Sequence, residues 1–191
     1  MINDAALLPK PTLTGHRLRL VPLSPRHAED SWHATQDPED RRLTGTRREF
    51  TLAEIDHRCA TRADQPDRLD LAVEGLDGRY LGDLALMDLD RDNRSAALLI
   101  ALLPTATGRG LGTEAVRLLL DHAFTAIGLH RVHLEVFDFN LRAQRVYQKA
   151  GFSLEGRLRQ SHHWDGKWHD TLLMAALATE WRAATPTPAA T

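Results

Sequence analysis

The sequence predicts an α/β (α+β) domain: a mixed sheet of about seven strands with four helices around it. Three observations carry that expectation. The hydrophobic period switches repeatedly between two, as in a half-buried strand, and 3.6, as in an amphipathic helix. Capping and turn signals fall at the switches. The chain has 191 residues, 42% of them hydrophobic and 26% charged, which suits one domain with a real core.

Arg17–Val21 alternates like a strand. Ser24-Pro25 then opens a helix with proline at its first position. Thr51 with Glu54 three residues later is a capping box, starting a second helix that carries Cys59. Arg68–Glu74 and Arg79–Leu89 read as strands around the turn Gly75–Gly78. Ala96–Leu103 is an unbroken apolar run stopped by Pro104, the pattern of a strand buried on both faces. A helix follows, with Leu111, Ala115, Leu118, Leu119 and His122 on one face and Gly128 as its C-cap. Arg131–Phe137 is the next strand. Asn140 caps a helix whose inner face is Ala143, Val146, Tyr147 and Ala150, ended by Gly151. Two last strands, 152–163 and 168–178, flank the hairpin signal Asp165-Gly166. Residues 1–12, with Pro9 and Pro11, and 183–191, only Ala, Thr and Pro, are expected to be loose ends on a 13–182 domain.

Composition narrows the function. A net charge of -2 argues against a nucleic-acid footprint, which needs a clustered basic excess. No apolar run approaches the roughly 18 residues of a membrane span. Met1–Ala6 lacks the basic start and apolar stretch of a secretion signal, and the single cysteine, Cys59, suits a reducing cytoplasm. His162, His163 and His169 form no regular metal-ligand set, so no metal is expected.

The chemistry concentrates in Thr107–Thr113, where Gly108, Gly110 and Gly112 alternate between an apolar strand and a helix. Such a loop exposes successive N–H groups at the positive end of a helix dipole, a natural seat for a pyrophosphate. It lacks the Gly-Lys-Ser/Thr ending of a triphosphate loop, and its G-x-G-x-G spacing is not the dinucleotide fingerprint.

Gly108-Arg109-Gly110-Leu111-Gly112-Thr113-Glu114-Ala115 resembles the acetyl-CoA pyrophosphate loop of the GNAT family of N-acetyltransferases. Leu134-Glu135-Val136, Asn140, Ala143, Tyr147, Lys149 and Gly151-Phe152 resemble that family's next motif. Glu155-Gly156, Trp164–Trp168 and Asp170 are similar to the branch that acetylates ribosomal-protein N-termini. The likeness spans roughly residues 14 to 182.

The resemblance implies the GNAT fold, with a mostly antiparallel sheet, and acetyl-CoA as co-substrate. It implies cofactor contacts at Leu102, Leu103, Thr107, Gly108, Arg109, Gly110, Leu111, Gly112, Thr113, Asn140, Arg142 and Tyr147. The strand ending Leu102-Leu103 would splay from its neighbour, bind the pantetheine through its backbone and polarise the thioester carbonyl. Thr107 stands where the family has Gln or Arg, leaving Arg109 as the guanidinium expected near the phosphates. Ala97 stands where the branch often has a glutamate, so that position supplies no base.

Two residues are assigned to the transfer. Tyr147, on the inner helix face, is the expected acid for the leaving thiolate; the alternative is a plain core tyrosine. Glu135 is the candidate base, with His133 on its strand face; Asp83 or a water chain are alternatives, as is a merely solvated Glu135. An α-amine of pKa about 8 is roughly one-tenth neutral at pH 7, whereas an amine near 10.4 is neutral about once in 2,500 molecules. A protein N-terminus therefore needs only a weaker base; the resemblance to the ribosomal-protein branch implies it as the first acceptor, by direct attack in a ternary complex. A small amine (polyamine, amino sugar or antibiotic) is the alternative, and a non-catalytic acyl-CoA-binding module the rival of another class. Trp164 and Trp168, with Asp165 or Asp170, can be read as a substrate wall, as contacts of a homodimer or as hairpin packing.

Overall fold

The computed structural model describes residues 1–184; the expected tail lies outside them from residue 185 onward. Among the described residues there are eight strands and six α-helices, rather than seven and four. The strands are β1 (Leu13–Thr14), β2 (Leu18–Pro22), β3 (Leu69–Gly75), β4 (Tyr80–Asp90), β5 (Ser95–Leu102), β6 (Arg131–Phe137), β7 (Ser153–Trp164) and β8 (Lys167–Leu177). The helices are α1 (Ala28–Gln36), α2 (Pro38–Thr44), α3 (Leu52–Thr61), α4 (Leu111–His122), α5 (Leu141–Ala150) and α6 (Ala178–Ala184).

The sequence missed β1, α2 and α6. β1 is two residues long, too short for a period to show. α2 has a start signal, since Asp37 accepts from the N–H groups of Glu39 and Asp40 and Pro38 fills the first position. Its only large apolar residue is Leu43, so no hydrophobic stripe marks it. α6 begins where the last strand was expected to end, and its Trp181 ring lies 6.0 Å from Phe124.

One sheet runs in the order β1-β2-β3-β4-β5-β6-β8-β7. Only β5 and β6 are parallel, because α4 crosses over between them. The hairpin turn at Asp165 and Gly166 has φ of 47° and 74°, as a two-residue turn of this type demands. One helix layer holds α4, α5 and α6: Leu111, Ala115, Val116, Leu119, Tyr147, Ala150 and Ala178, with Phe124 from the turn after α4, join the strand residues in the main core. The other layer holds α1 and α3, whose Ala28, Ile55 and Cys59 pack with Val21, Ala72 and Tyr80. Burial pushes the Cys59 thiol up to about 11, which leaves it inert filler.

Two expectations change. Residues 1–12 are packed rather than loose: Leu7 is 2% exposed, and the Asn3 N–H donates to Ile127 O at 2.8 Å. Lys10 Nζ is also held, donating to the carbonyls of Gln65 and Arg68. β5 is not buried on both faces either. Ala96 and Leu98 are in the core, but Leu99 is 48% exposed on the opposite face. Its run is apolar because β5 forms a cleft wall, not because both faces meet a helix layer.

Candidate functional site

β5 and β6 pair only over Ser95–Ala97 and Arg131–His133. Beyond that they separate, each held by its outer neighbour: β4 follows β5 to Leu102, and β8 follows β6 to Phe137. The divergence leaves the inner edge of β5 without a strand partner, a row of backbone donors and acceptors. It opens a cleft of about 800 Å³ walled by Leu98–Leu102 on one side and Leu134–Phe137 on the other.

The glycine loop closes one end of the cleft. Gly108 and Gly110 take φ of 74° and 78°, in the left-handed region that favours glycine. Gly110 is the N-cap of α4. The first intrahelical bond comes only at the Glu114 N–H, which donates to Gly110 O at 3.2 Å, leaving Leu111, Gly112 and Thr113 as the orphan donors of the first turn. A Cβ on Gly112 would stand 3.2 Å from Leu102, so glycine lets the helix start close on β5.

α5 forms the rim beside it. Asn140 Oδ1 caps the helix by accepting from the Ala143 N–H at 3.1 Å, leaving its NH₂ for the cleft. Gly151, with φ of 106°, ends the helix, and the Phe152 N–H returns to Tyr147 O. Tyr147 lines the cleft, its ring 5.8 Å from Phe152. Burial pushes its phenol up to about 12, so it is fully protonated at neutral pH.

The structure therefore brings Leu102, Thr107, Gly108, Gly110, Gly112, Thr113, Glu135, Asn140, Arg142 and Tyr147 to one cleft. Three expected contacts fall outside its lining. The Leu103 N–H donates to Leu81 O at 2.9 Å, and its side chain packs in the core under α1 and α3. Leu111 is buried in the main core, so only its backbone can serve. Arg109 lines a separate hollow of about 400 Å³ with His16, Arg17 and Arg79. The cleft guanidiniums are instead Arg142 and Arg145, joined by Lys149 one turn on, because α5 and not the loop supplies the cationic rim. The Thr107 hydroxyl donates to Pro104 O at 2.8 Å, stabilising the turn before the loop.

The same lining carries acidic groups. Glu135 is exposed on β6 and shares the lining with His133. Asp40, at the start of α2, lines it too, a residue that sequence reasoning missed although Asp37-Pro38 marks that helix start. Burial, with Asp83 and Asp37 nearby, pushes the Asp40 carboxyl up to about 6 against the pull of Arg142. Asp83, an alternative base, is committed elsewhere. It accepts from the Tyr80 hydroxyl at 2.9 Å and from Ser31 at 3.3 Å, with Arg58 3.9 Å away.

α2 is seated by its C-terminal turn: a Cβ on Gly45 would stand 2.9 Å from the Phe137 ring, itself stacked 3.9 Å from His162. The hairpin tryptophans and Asp165 do not line the cleft. Trp168 is 60% exposed at the tip, and Asp170 is paired with Arg157 at 2.9 Å. Among the described residues no group of three His, Cys, Asp or Glu could hold a metal, and no helix is long and apolar enough to cross a membrane.

Comparison with known proteins agrees with this architecture. Spermidine N(1)-acetyltransferase of Escherichia coli (strain K12) is 31% identical over 115 residues, 60% of this chain and 62% of that protein. The putative ribosomal N-acetyltransferase YdaF of Bacillus subtilis (strain 168) is 31% identical over 105 residues, 55% and 57% of the two chains. Each match thus spans about three fifths of the relative's length. Spermidine N-acetyltransferase from Vibrio cholerae, solved with CoA and spermine, shares the fold: TM-score 0.80 at 21% identity, over 86% of this chain and 97% of that one. The acetyltransferase (GNAT) domain model matches residues 17–153, and with its strands parted above a glycine loop this chain belongs to that family.

Proposed function

We propose that the protein transfers the acetyl group of acetyl-CoA to a small cationic primary amine of the polyamine type, in one step within a ternary complex. The observation that carries this reading is the parting of β5 from β6. It makes one cleft lined by the glycine loop, by the cations of α5 and by the carboxylates of Asp40 and Glu135. The loop N–H groups and the α5 cations suit the anionic end of acetyl-CoA, and the open β5 edge suits the amides of its pantetheine. Asp40 and Glu135 suit an acceptor carrying more than one positive charge, and the likeness to spermidine acetyltransferases points the same way.

The chemistry follows from these placements. The acceptor ammonium gives one proton to Asp40, directly or through water, and Glu135 holds a further ammonium of the same molecule. Asp40 suits this role better than an ordinary aspartate because its raised pKa brings it nearer to that of the amine. The neutral nitrogen attacks the thioester carbonyl carbon, with a β5 N–H on the oxygen. The C–N bond is complete as the C–S bond breaks, and the nitrogen's second proton ends on sulfur beside the Tyr147 hydroxyl. At a pKa of about 12, Tyr147 donates a hydrogen bond to the thiolate rather than releasing its proton outright.

A panel of acceptors scored by CoA thiol release tests the reading: spermidine, spermine, an amino sugar and a short peptide with a free α-amine. We expect kcat/KM for the polyamines at least about tenfold above the peptide, from pairing a second charge. A peptide that wins would favour the protein N-terminal reading, which the hairpin sequence and the likeness to YdaF support. CoA binding without thiol release for any amine would favour a non-catalytic binding module.

A further inference from the structure

We propose that Arg17 is a positioning residue for the cofactor loop. Its guanidinium cancels the Glu114 carboxylate at the start of α4 and holds the Arg109 carbonyl, so that the loop offers N–H groups, unopposed by negative charge, to the polyanionic end of acetyl-CoA. The inference rests on the acetyl-CoA reading above.

The geometry is specific. Arg17 Nε donates to Glu114 Oε2 at 2.7 Å, and the Arg17 backbone N–H to Glu114 Oε1 at 2.8 Å. Arg17 Nη1 donates to Arg109 O at 2.8 Å. The turn before β2 is built to permit this approach. A Cβ on Gly15 would stand 2.8 Å from Glu114 Oε1, and one on Gly110 would stand 3.3 Å from Arg17 Nη2. The partners are unequally exposed, 54% for the Arg17 side chain and 15% for Glu114, so the carboxylate depends on the arginine more than the reverse.

The electrostatic reason is a conflict at one helix end. A carboxylate in the first turn stabilises α4, because it faces the positive end of the dipole. The same end must receive a pyrophosphate, which an uncompensated carboxylate would repel at short range. Pairing with Arg17 keeps the helix contact and removes the repulsion. The arginine's third bond draws the one carbonyl between Gly108 and Gly110 toward the Arg17 side, where Arg109 itself lines the separate hollow.

Calorimetric titration of CoA into wild type, R17M, R17K, E114Q and the double variant R17M/E114Q, at low and high salt, tests this. R17M is expected to weaken CoA binding about tenfold at low salt and less at high salt. E114Q in the R17M background should recover most of that loss, and R17K, which keeps the charge, should stay near wild type. For acetyl-CoA, KM should rise with R17M while kcat at saturation holds. An unchanged dissociation constant in R17M overturns the proposal, as does a double variant no better than R17M. If R17M does not fold, a tenfold loss in R17K overturns the charge-cancelling role. Wild type that binds no CoA refutes the acetyl-CoA reading itself, a separate result.

Discussion

Tyr147 and Asp40 are two side chains of the cleft whose burial shifts them in directions useful to acetyl transfer. Burial holds the Tyr147 phenol protonated, a donor at every pH the protein meets. Tyr147→Phe keeps the ring and its packing on Phe152 but removes that donor. We expect kcat to fall about a hundredfold while CoA affinity and melting temperature stay close to wild type, in steady-state kinetics beside a CoA titration. Asp40 is ionised at a cost. Its folded pKa, raised from 3.8 to about 6, lies above that of the unfolded chain, so the folded form keeps a proton the unfolded chain has lost. The penalty is absent below about pH 4, grows to about pH 6 and is full above it. Asp40→Asn should therefore stabilise the protein at pH 7.5 by on the order of 1 kcal/mol, after allowing for solvent screening of a half-buried group. It should gain nothing at about pH 3.5, and at pH 7.5 it should lose acetylation. Urea titrations at the two pH values would show whether that gain depends on pH.

At the scale of elements, the site depends on a strand held on one edge only. β5 stays straight without β6 because β4 pairs with it as far as Leu102. That pairing passes through Gly82, opposite Leu102, whose φ of 146° lies in glycine's territory. A Cβ there would stand 2.2 Å from Ala101 O, a backbone atom with no freedom to yield. Gly82→Ala is expected to cost about 2 kcal/mol or more in urea unfolding and to raise KM for acetyl-CoA, since β5 must shift. The open edge was foreseen from resemblance, yet the apolar run Ala96–Leu103 alone reads as a fully buried strand. A strand facing an apolar cleft and one facing a second helix layer have the same sequence pattern.

For the molecule as a whole, the N-terminal segment is part of the fold. Leu7 belongs to the main core beneath α4, and His122 Nε2 lies 2.9 Å from Ala6 O. Leu7→Ala should cost about 2–5 kcal/mol. At roughly 2–4 °C for each kcal/mol in a chain of this size, calorimetry would register it plainly, whereas a loose segment would leave the melting temperature unmoved. The segment reads as loose because its two prolines and short apolar stretch satisfy no regular period, and its stability comes from contacts more than a hundred residues away. The same logic sorts the site. The glycine loop, the Asn140 cap, Tyr147 on its helix face and Glu135 on its strand were legible, because each depends on neighbours within one element. Asp40, Arg145 and the Arg17–Glu114 pair were not, since no local period marks them and their roles exist only where distant segments meet. By itself the sequence determined the alternation of strands and helices, their caps and the glycine loop before α4, all set by interactions a few residues apart. Only the tertiary structure decided which way the β5 edge opens, which cations and carboxylates share the cleft, and that Arg109 faces away from it, because those are distances between groups the chain keeps far apart.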